Sequence, residues 1–149
     1  MGRKLIILQV EDSDSDVALA AYAFERLATH HPVHVVKDGI EALKFLRQED
    51  GYRQAPRPDL VLLDIGLPKL DGLDVLSQIK SDAALKDIPV VIFSTSTAAA
   101  SLQTAYERQA NSYVVKPSEF QAYMAAIESI EAYWARTATV PGHASAGES

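Results

Sequence analysis

Short apolar runs alternate with segments of helical spacing along almost the whole chain. Short runs of mostly apolar residues, typical of buried strands, occur at 5–10, 33–36, 60–63, 90–93 and 113–115. After each run, apolar residues recur every three or four positions, which predicts helices within 17–27, 39–46, 72–80, 98–109 and 120–134. A polar stretch with glycine and two prolines at 47–58 predicts a loop.

This alternation predicts an α/β fold built on a parallel sheet of five strands. Parallel neighbours need long crossover connections, which are usually helical. Because such crossovers are right-handed, the helices are expected on both faces of the sheet. Ligands of open parallel sheets bind at the carboxyl ends of the strands. The polar residues that end the strands are therefore the candidate site residues.

Those strand-end residues form a chemically coherent set. Glu11 and Asp12 follow the first run, Asp64 follows the third, Ser94 the fourth and Lys116 the fifth. Carboxylate oxygens are the ligands that Mg²⁺ prefers, and a carboxylate can also act as a nucleophile that forms an aspartyl phosphate. A hydroxyl and an ammonium group could then hold the phosphoryl oxygens. The sequence predicts a magnesium-dependent phosphoryl site.

Composition narrows the function classes. The 149 residues suit one domain, and 14 basic against 20 acidic residues give a net charge of −6. That charge argues against binding to nucleic acid or to an anionic membrane. Cysteine is absent, which excludes disulfides, thiolate zinc sites and a cysteine nucleophile. No apolar run approaches the ~20 residues of a membrane helix, and no secretory cleavage site follows the first run, so we expect a cytoplasmic protein.

Several short motifs accompany the candidate residues. They are Val10-Glu11-Asp12, the segment 60–68, Asp71-Gly72, the segment 89–94 and the segment 113–117. In this order, and from about residue 4 to residue 134, they resemble the receiver domain of two-component response regulators. The long loop 47–58, the segment 110–113 and the aromatic pair Tyr133-Trp134 are similar to the small regulators paired with bacterial and cyanobacterial phytochromes.

The resemblance implies a flavodoxin-like sheet in the order 2-1-3-4-5, a receiver domain over residues 1–137 and a flexible tail over 138–149. It implies that Asp64 accepts a phosphoryl group from a sensor histidine kinase, expected to be a phytochrome. Asp12, Asp64 and the backbone carbonyl of Gly66 would bind Mg²⁺, and Glu11 would act through water. The protein would not be an enzyme that acts on other substrates. It would catalyse only its own phosphotransfer and a slow autodephosphorylation.

The resemblance also implies a conformational switch. Ser94 matches the hydroxyl that moves on phosphorylation, Lys116 the lysine that binds the phosphoryl group, and Tyr113 the aromatic residue that changes rotamer. Serine at position 94 lacks the methyl group of the more common threonine, which would loosen the coupling to Tyr113. Thr95 stands where a small alanine is frequent and would narrow access to the phosphoryl group.

Output is expected through protein contact, because the residues after Trp134 are too few for a DNA-binding domain. The last helix carries more aromatic and apolar residues than one buried stripe needs, and such a surplus is typical of interfaces. Similar phytochrome-associated receivers dimerise on this side. A homodimer through the last helix and strand is therefore expected.

Two other functions fit the residues less well. A phosphatase of the haloacid-dehalogenase type also uses an aspartate nucleophile, but it has a second acid two residues later, where this chain has Gly66. A flavodoxin-like cofactor module needs a phosphate-binding loop after the first strand, where Glu11 and Asp12 would repel an anion. The histidines at 30, 31 and 34 lie around Pro32 without other metal ligands, and we expect them to be solvated loop residues.

Overall fold

The computed structural model describes residues 2–139. The strands β1 to β5 are Ile7–Val10, Val33–Val36, Leu60–Leu63, Val90–Ser94 and Ser112–Val115. The helices α1 to α5 are Asp14–Glu25, Gly39–Arg47, Gly72–Ser81, Ala99–Glu107 and Phe120–Ala132, and a π-helical segment at Tyr133–Thr137 follows α5. The predicted tail, 138–149, lies outside the described residues from position 140 onward. No helix within 2–139 is long and apolar enough to cross a membrane.

The sheet confirms the predicted architecture. Its strand order is β2-β1-β3-β4-β5, and all four neighbouring pairs are parallel. Val10 is in register with Val36 on one side and with Leu63 on the other. Ser94 is in register with Val115. The carboxyl ends of the strands are therefore level with one another, which brings the residues that follow them to one edge.

Two apolar cores cover the two faces of the sheet, as the crossovers predict. Alternate strand residues face opposite ways: Leu8 and Leu63 belong to one core, while Ile7 and Leu62 belong to the other. The first core is completed by residues of α2, α3 and α4, and the second by residues of α1, α5 and the π-helical segment. Both faces are buried, which explains why the strands have continuous apolar sequences instead of alternating ones.

Helix α1 begins earlier than the apolar spacing predicts. The apolar face starts at residue 17, but the helix itself starts at Asp14. The hydroxyl oxygen of Ser13 accepts a hydrogen bond from the Asp16 amide at 3.3 Å and so caps the first turn. Acidic residues in this turn also interact favourably with the helix dipole. Consequently the strand-end residue Asp12 and the first turn of α1 lie close together.

The expectation for the histidines is wrong for His31. Its side chain is buried, with the residue 4% exposed, and Nδ1 accepts a hydrogen bond from the Leu5 amide at 2.9 Å. Nε2 lies 2.7 Å from Oε2 of Glu131, a residue of α5 that is 1% exposed. His31 therefore joins the segment before β1 to the last helix. His30 is exposed as expected. For His34 the expectation is also wrong, because this residue lies in β2 and is half-buried, with its ring 5.5 Å from that of Phe45.

Gly72→Ala is expected to destabilise the protein strongly. A Cβ at Gly72 would overlap the carbonyl oxygen of Asp64 and lie 2.7 Å from the Cα of Ile65, and both are backbone atoms that cannot rotate away. We expect a loss of about 3 kcal/mol in the free energy of unfolding, measured by urea denaturation. The matched control is Gly66→Ala, because no heavy atom lies within 4 Å of a Cβ at that position. Equal losses for the two variants would contradict this packing argument.

Candidate functional site

Three carboxylates meet at the carboxyl edge of the sheet. Glu11 and Asp12 follow β1, and Asp64 follows β3, its neighbour in the sheet. Carboxylate oxygens of all three lie within 4.8 Å of one another. Glu11 is buried, Asp64 is half-buried and Asp12 is exposed. The predicted convergence of these residues is found, and Asp12 and Asp64 can be approached from solvent.

The Asp64 carboxylate is oriented by its own chain. Oδ1 accepts a hydrogen bond from the Ile65 amide at 2.8 Å, while Oδ2 faces Nζ of Lys116 at 3.4 Å. The Asp64 amide in turn donates to the carbonyl of Val10 at 3.1 Å, which fixes its backbone to β1. One oxygen is thus held by the backbone and the other points to the ammonium group. This is a suitable arrangement for a carboxylate that receives an electrophile.

Lys116 is the cationic centre of the site. Its side chain is 4% exposed, and Nζ donates to Oε1 of Glu11, to Oδ2 of Asp16 at 3.1 Å and to Oδ2 of Asp64 at 3.4 Å. Burial by itself lowers the pKa of Lys116, but the hydrogen bond to Glu11 and the charge of Asp64 outweigh it, so the pKa lies above its ordinary value. The side chain therefore stays charged.

Asp16 is a residue of this site that the strand-end rule misses. It lies in the first turn of α1 and not at the end of a strand. Its position four residues after Asp12, in a turn capped by Ser13, is the signal that could have indicated it. Because the acidic residues near Lys116 outnumber this one lysine, the site has an excess of negative charge.

The pKa of Glu11 reflects first its burial and then the charges around it. Burial raises the pKa of Glu11 to about 7, the hydrogen bond to Lys116 opposes the rise, and the charge of Asp64 adds to it. Hard divalent cations bind carboxylate oxygens and would relieve this repulsion. The oxygens of Glu11, Asp12 and Asp64 therefore fit a metal of the Mg²⁺ class. Gly66, the fourth expected contributor, is exposed in the loop two residues after Asp64.

The two expected switch residues share one neighbour. Ser94 is buried at the end of β4, and its hydroxyl oxygen accepts a hydrogen bond from the Ser96 amide at 3.3 Å. The hydroxyl of Tyr113 donates to the carbonyl oxygen of Ser96 at 2.9 Å. Sequence reasoning did not single out Ser96. Thr95, between the two serines, is exposed at the rim of the site.

Comparison with known proteins agrees with this geometry. The profile described as "Response regulator receiver domain" matches residues 7–128. Response regulator Rcp1 of Synechocystis sp. is 38% identical over 136 residues, which span 91% of this chain and 92% of Rcp1. The protein named "Probable methanogenesis regulatory protein FilR2", of Methanothrix harundinacea, is 44% identical over 140 residues, 93% of this chain and 89% of FilR2.

Solved structures point the same way. The phosphorylated cyanobacterial phytochrome response regulator RcpA superposes with a TM-score of 0.90 at 41% identity, covering 94% of this chain and 100% of RcpA. The Mn²⁺-bound form of Rcp1 superposes with a TM-score of 0.88 at 37% identity, covering 93% of this chain and 99% of that structure. Since the likeness extends over both sequence and fold, this chain belongs to the response regulator receiver domain family and is similar to its phytochrome-associated members.

Proposed function

We propose that Asp64 accepts a phosphoryl group from the histidine of a sensor kinase. Receiver domains are phospho-accepting signalling proteins that bind a divalent metal. The single observation that supports Asp64 in this role is its carboxylate geometry, with Oδ1 held by the Ile65 amide and Oδ2 facing Lys116 at 3.4 Å. The phosphatase alternative lacks support because Gly66 offers no second acid.

In the proposed transfer, a carboxylate oxygen of Asp64 attacks the phosphorus atom. A bond from this oxygen to phosphorus forms, and the bond from phosphorus to the kinase histidine nitrogen breaks. The electron pair of that bond stays on the nitrogen, and because the other ring nitrogen carries a proton, the ring leaves as neutral imidazole. The Ile65 amide keeps the carboxylate in position, and the Lys116 ammonium lies where it can bind a phosphoryl oxygen. Asp12, Asp64 and the Gly66 carbonyl would hold Mg²⁺, with Glu11 acting through water. When bound, Mg²⁺ neutralises the charge on the phosphoryl oxygens.

Ser94 and Tyr113 would carry the signal away from Asp64. On phosphorylation, the hydroxyl of Ser94 leaves the Ser96 amide and donates to a phosphoryl oxygen. Tyr113 then releases the Ser96 carbonyl and changes rotamer. The shared contact with Ser96 supports this coupling, because loss of one hydrogen bond frees the loop that holds the other. Attack by water on phosphorus breaks the bond to the Asp64 oxygen, restores the carboxylate and releases inorganic phosphate, which takes up the protons of the water. The site thus resets itself slowly and turns over no other substrate.

A phytochrome is the kinase we propose as donor. RcpA and Rcp1 support this partner, since RcpA is named as a phytochrome response regulator and covers nearly the whole chain. Similarity to FilR2, with its different named role, makes another kinase the competing outcome. Phosphotransfer from a purified phytochrome kinase, compared with a kinase of another class, distinguishes the two. Faster transfer from the second kinase would refute the phytochrome assignment.

We also propose a homodimer through the last helix and strand. Val115, Phe120 and Tyr133 are large exposed apolar residues on β5, α5 and the π-helical segment. A groove of about 410 Å³ between β5 and the end of α5 is lined in part by Tyr133, Ile130 and Trp134. An exposed apolar surface of this kind favours association with a partner.

Tyr133→Glu is expected to convert this dimer to a monomer, because a charge would be buried in the interface. Sedimentation velocity of wild type and variant measures the change. The matched control is Ile40→Glu, an exposed apolar residue of α2 near the other edge of the sheet, which should leave the dimer intact. A monomeric wild type, with or without phosphorylation, would refute the dimer.

Phosphorylation is tested by intact-mass spectrometry of the full chain with a small acyl phosphate donor. We expect one phosphoryl group per chain in the presence of Mg²⁺, and loss of the adduct in base, as for an acyl phosphate. Chelation of Mg²⁺ before the donor is added is expected to prevent the reaction. The ammonium group of Lys116 contacts three carboxylates and cannot by itself neutralise their charge and that of the incoming phosphoryl group. A base-stable adduct, or one independent of metal, would contradict the proposal.

A further inference from the structure

The Lys116 ammonium lies between the proposed acceptor and a carboxylate outside the metal cluster. Nζ is 3.1 Å from Oδ2 of Asp16 and 3.4 Å from Oδ2 of Asp64. Asp16 is not among the three carboxylates whose oxygens lie within 4.8 Å of one another, namely those of Glu11, Asp12 and Asp64. It therefore contacts the lysine without being positioned to bind the same cation.

Two elements hold Asp16 in place. Its amide donates to the hydroxyl of Ser13 at 3.3 Å, and its carbonyl oxygen accepts a hydrogen bond from the Tyr123 hydroxyl of α5 at 3.4 Å. The side chain is 29% exposed, against 4% for that of Lys116. The backbone of Asp16 is thus fixed at a position from which its carboxylate reaches the buried ammonium group and remains partly hydrated.

We infer that Asp16 is a positioning residue that holds the Lys116 ammonium on the α1 side of the site and competes for it with the phosphoryl group. This inference rests on the proposed function of Asp64. Before phosphorylation, Asp16 shares the ammonium group with Asp64, so that Lys116 neutralises Asp64 only in part and leaves it attractive to a metal ion. After phosphorylation, Asp16 and the phosphoryl oxygens compete for the same ammonium group.

Asp16 should therefore act in opposite directions on the two ligands of the site. Its negative charge attracts Mg²⁺ and keeps Lys116 from neutralising Asp64, so its removal should weaken metal binding. The same charge repels phosphoryl oxygens and retains their lysine partner, so its removal should strengthen phosphoryl binding. If Asp16 served only to support the fold, its removal would weaken the binding of both Mg²⁺ and the phosphoryl group.

Calorimetric titration of the full chain tests this prediction with Mg²⁺ alone and then with beryllofluoride, an acyl phosphate analogue, at saturating Mg²⁺. For Asp16→Asn we expect Mg²⁺ to bind roughly two- to fivefold more weakly and beryllofluoride roughly two- to fivefold more tightly, the size expected for a partly hydrated ion pair. Asp16→Glu keeps the charge and should restore both affinities towards wild type. Circular dichroism checks that each variant is folded.

The matched control is Asp14→Asn, which removes the same charge from the same helical turn. The Asp14 side chain is 89% exposed and pairs with Lys37, so both affinities should stay near wild type. Equal effects of the two variants, or changes of the same sign for the two ligands, would overturn the role of Asp16. Failure of the wild type to bind beryllofluoride with Mg²⁺ would overturn the proposed function of Asp64 itself, and this inference with it.

Discussion

Asp64→Asn is expected to abolish phosphorylation by a small acyl phosphate donor while leaving the protein folded. An amide oxygen is a poor nucleophile and cannot form an acyl phosphate, whereas a carboxylate can. The amide oxygen can still accept the hydrogen bond that the Ile65 amide now donates to Oδ1 of Asp64. Removal of one negative charge from an acidic cluster also reduces the repulsion among the remaining carboxylates, so the substitution should not destabilise the fold. Intact-mass spectrometry at saturating Mg²⁺ should show no adduct above background.

A control for this experiment lies in the same loop. Asp71 precedes α3, and its carboxylate accepts a hydrogen bond from the Leu73 amide at 2.7 Å. Asparagine caps a helix about as well as aspartate, so Asp71→Asn should fold and be phosphorylated like the wild type. An adduct of equal yield on Asp64→Asn would show that another residue is the acceptor. Loss of the adduct in both variants would show that the loop, and not the Asp64 nucleophile, is the sensitive feature.

A large loss of stability is expected when the buried pair of His31 and Glu131 is broken. Nδ1 of His31 accepts the Leu5 amide hydrogen, so in a neutral ring Nε2 carries the hydrogen and donates it to Glu131 at 2.7 Å. His31→Ala removes both contacts and leaves a carboxylate that is 1% exposed without its nearest partner. We expect a loss of about 3–5 kcal/mol in the free energy of unfolding, as for other broken buried pairs. Urea denaturation monitored by circular dichroism measures it.

The neighbouring exposed histidine provides the comparison. His30→Ala should change stability by less than about 0.5 kcal/mol, because it removes a surface side chain. Glu131→Gln keeps the shape of the side chain and an oxygen that can accept from His31, so its effect should be smaller than that of His31→Ala. If His31→Ala were as stable as His30→Ala, the pair would contribute nothing to the attachment of α5.

Much of the site could be predicted from the chain because of one geometric property of parallel sheets. Strands that run in the same direction end at the same edge, so Asp12, Asp64 and Lys116 were expected at one edge once the runs before them were identified as strands of one parallel sheet. The same reasoning identified Glu11 and Ser94. These residues owe their position to backbone topology, and the hydrophobic pattern is sufficient to indicate it.

The contacts of Asp16 and His31 could not be predicted in this way. Asp16 reaches Lys116 across 100 positions of sequence, and His31 reaches Glu131 across another 100. Each contact depends on where a helix packs against the sheet and on which rotamer its side chain adopts there. Apolar spacing identifies the buried face of a helix but carries no information on polar partners supplied by distant elements.

The five strands, their parallel direction and the set of polar residues at the carboxyl edge of the sheet follow from the amino-acid sequence alone, since local apolar periodicity and chain direction suffice for these. The hydrogen bonds within that set follow only from the packing of the folded chain. Burial and proximity in three dimensions assign Lys116 to three carboxylates, give Ser94 and Tyr113 a common neighbour in Ser96 and place His31 beneath the last helix. Polar side chains take the partners that packing brings within reach, and that packing depends on the whole chain at once.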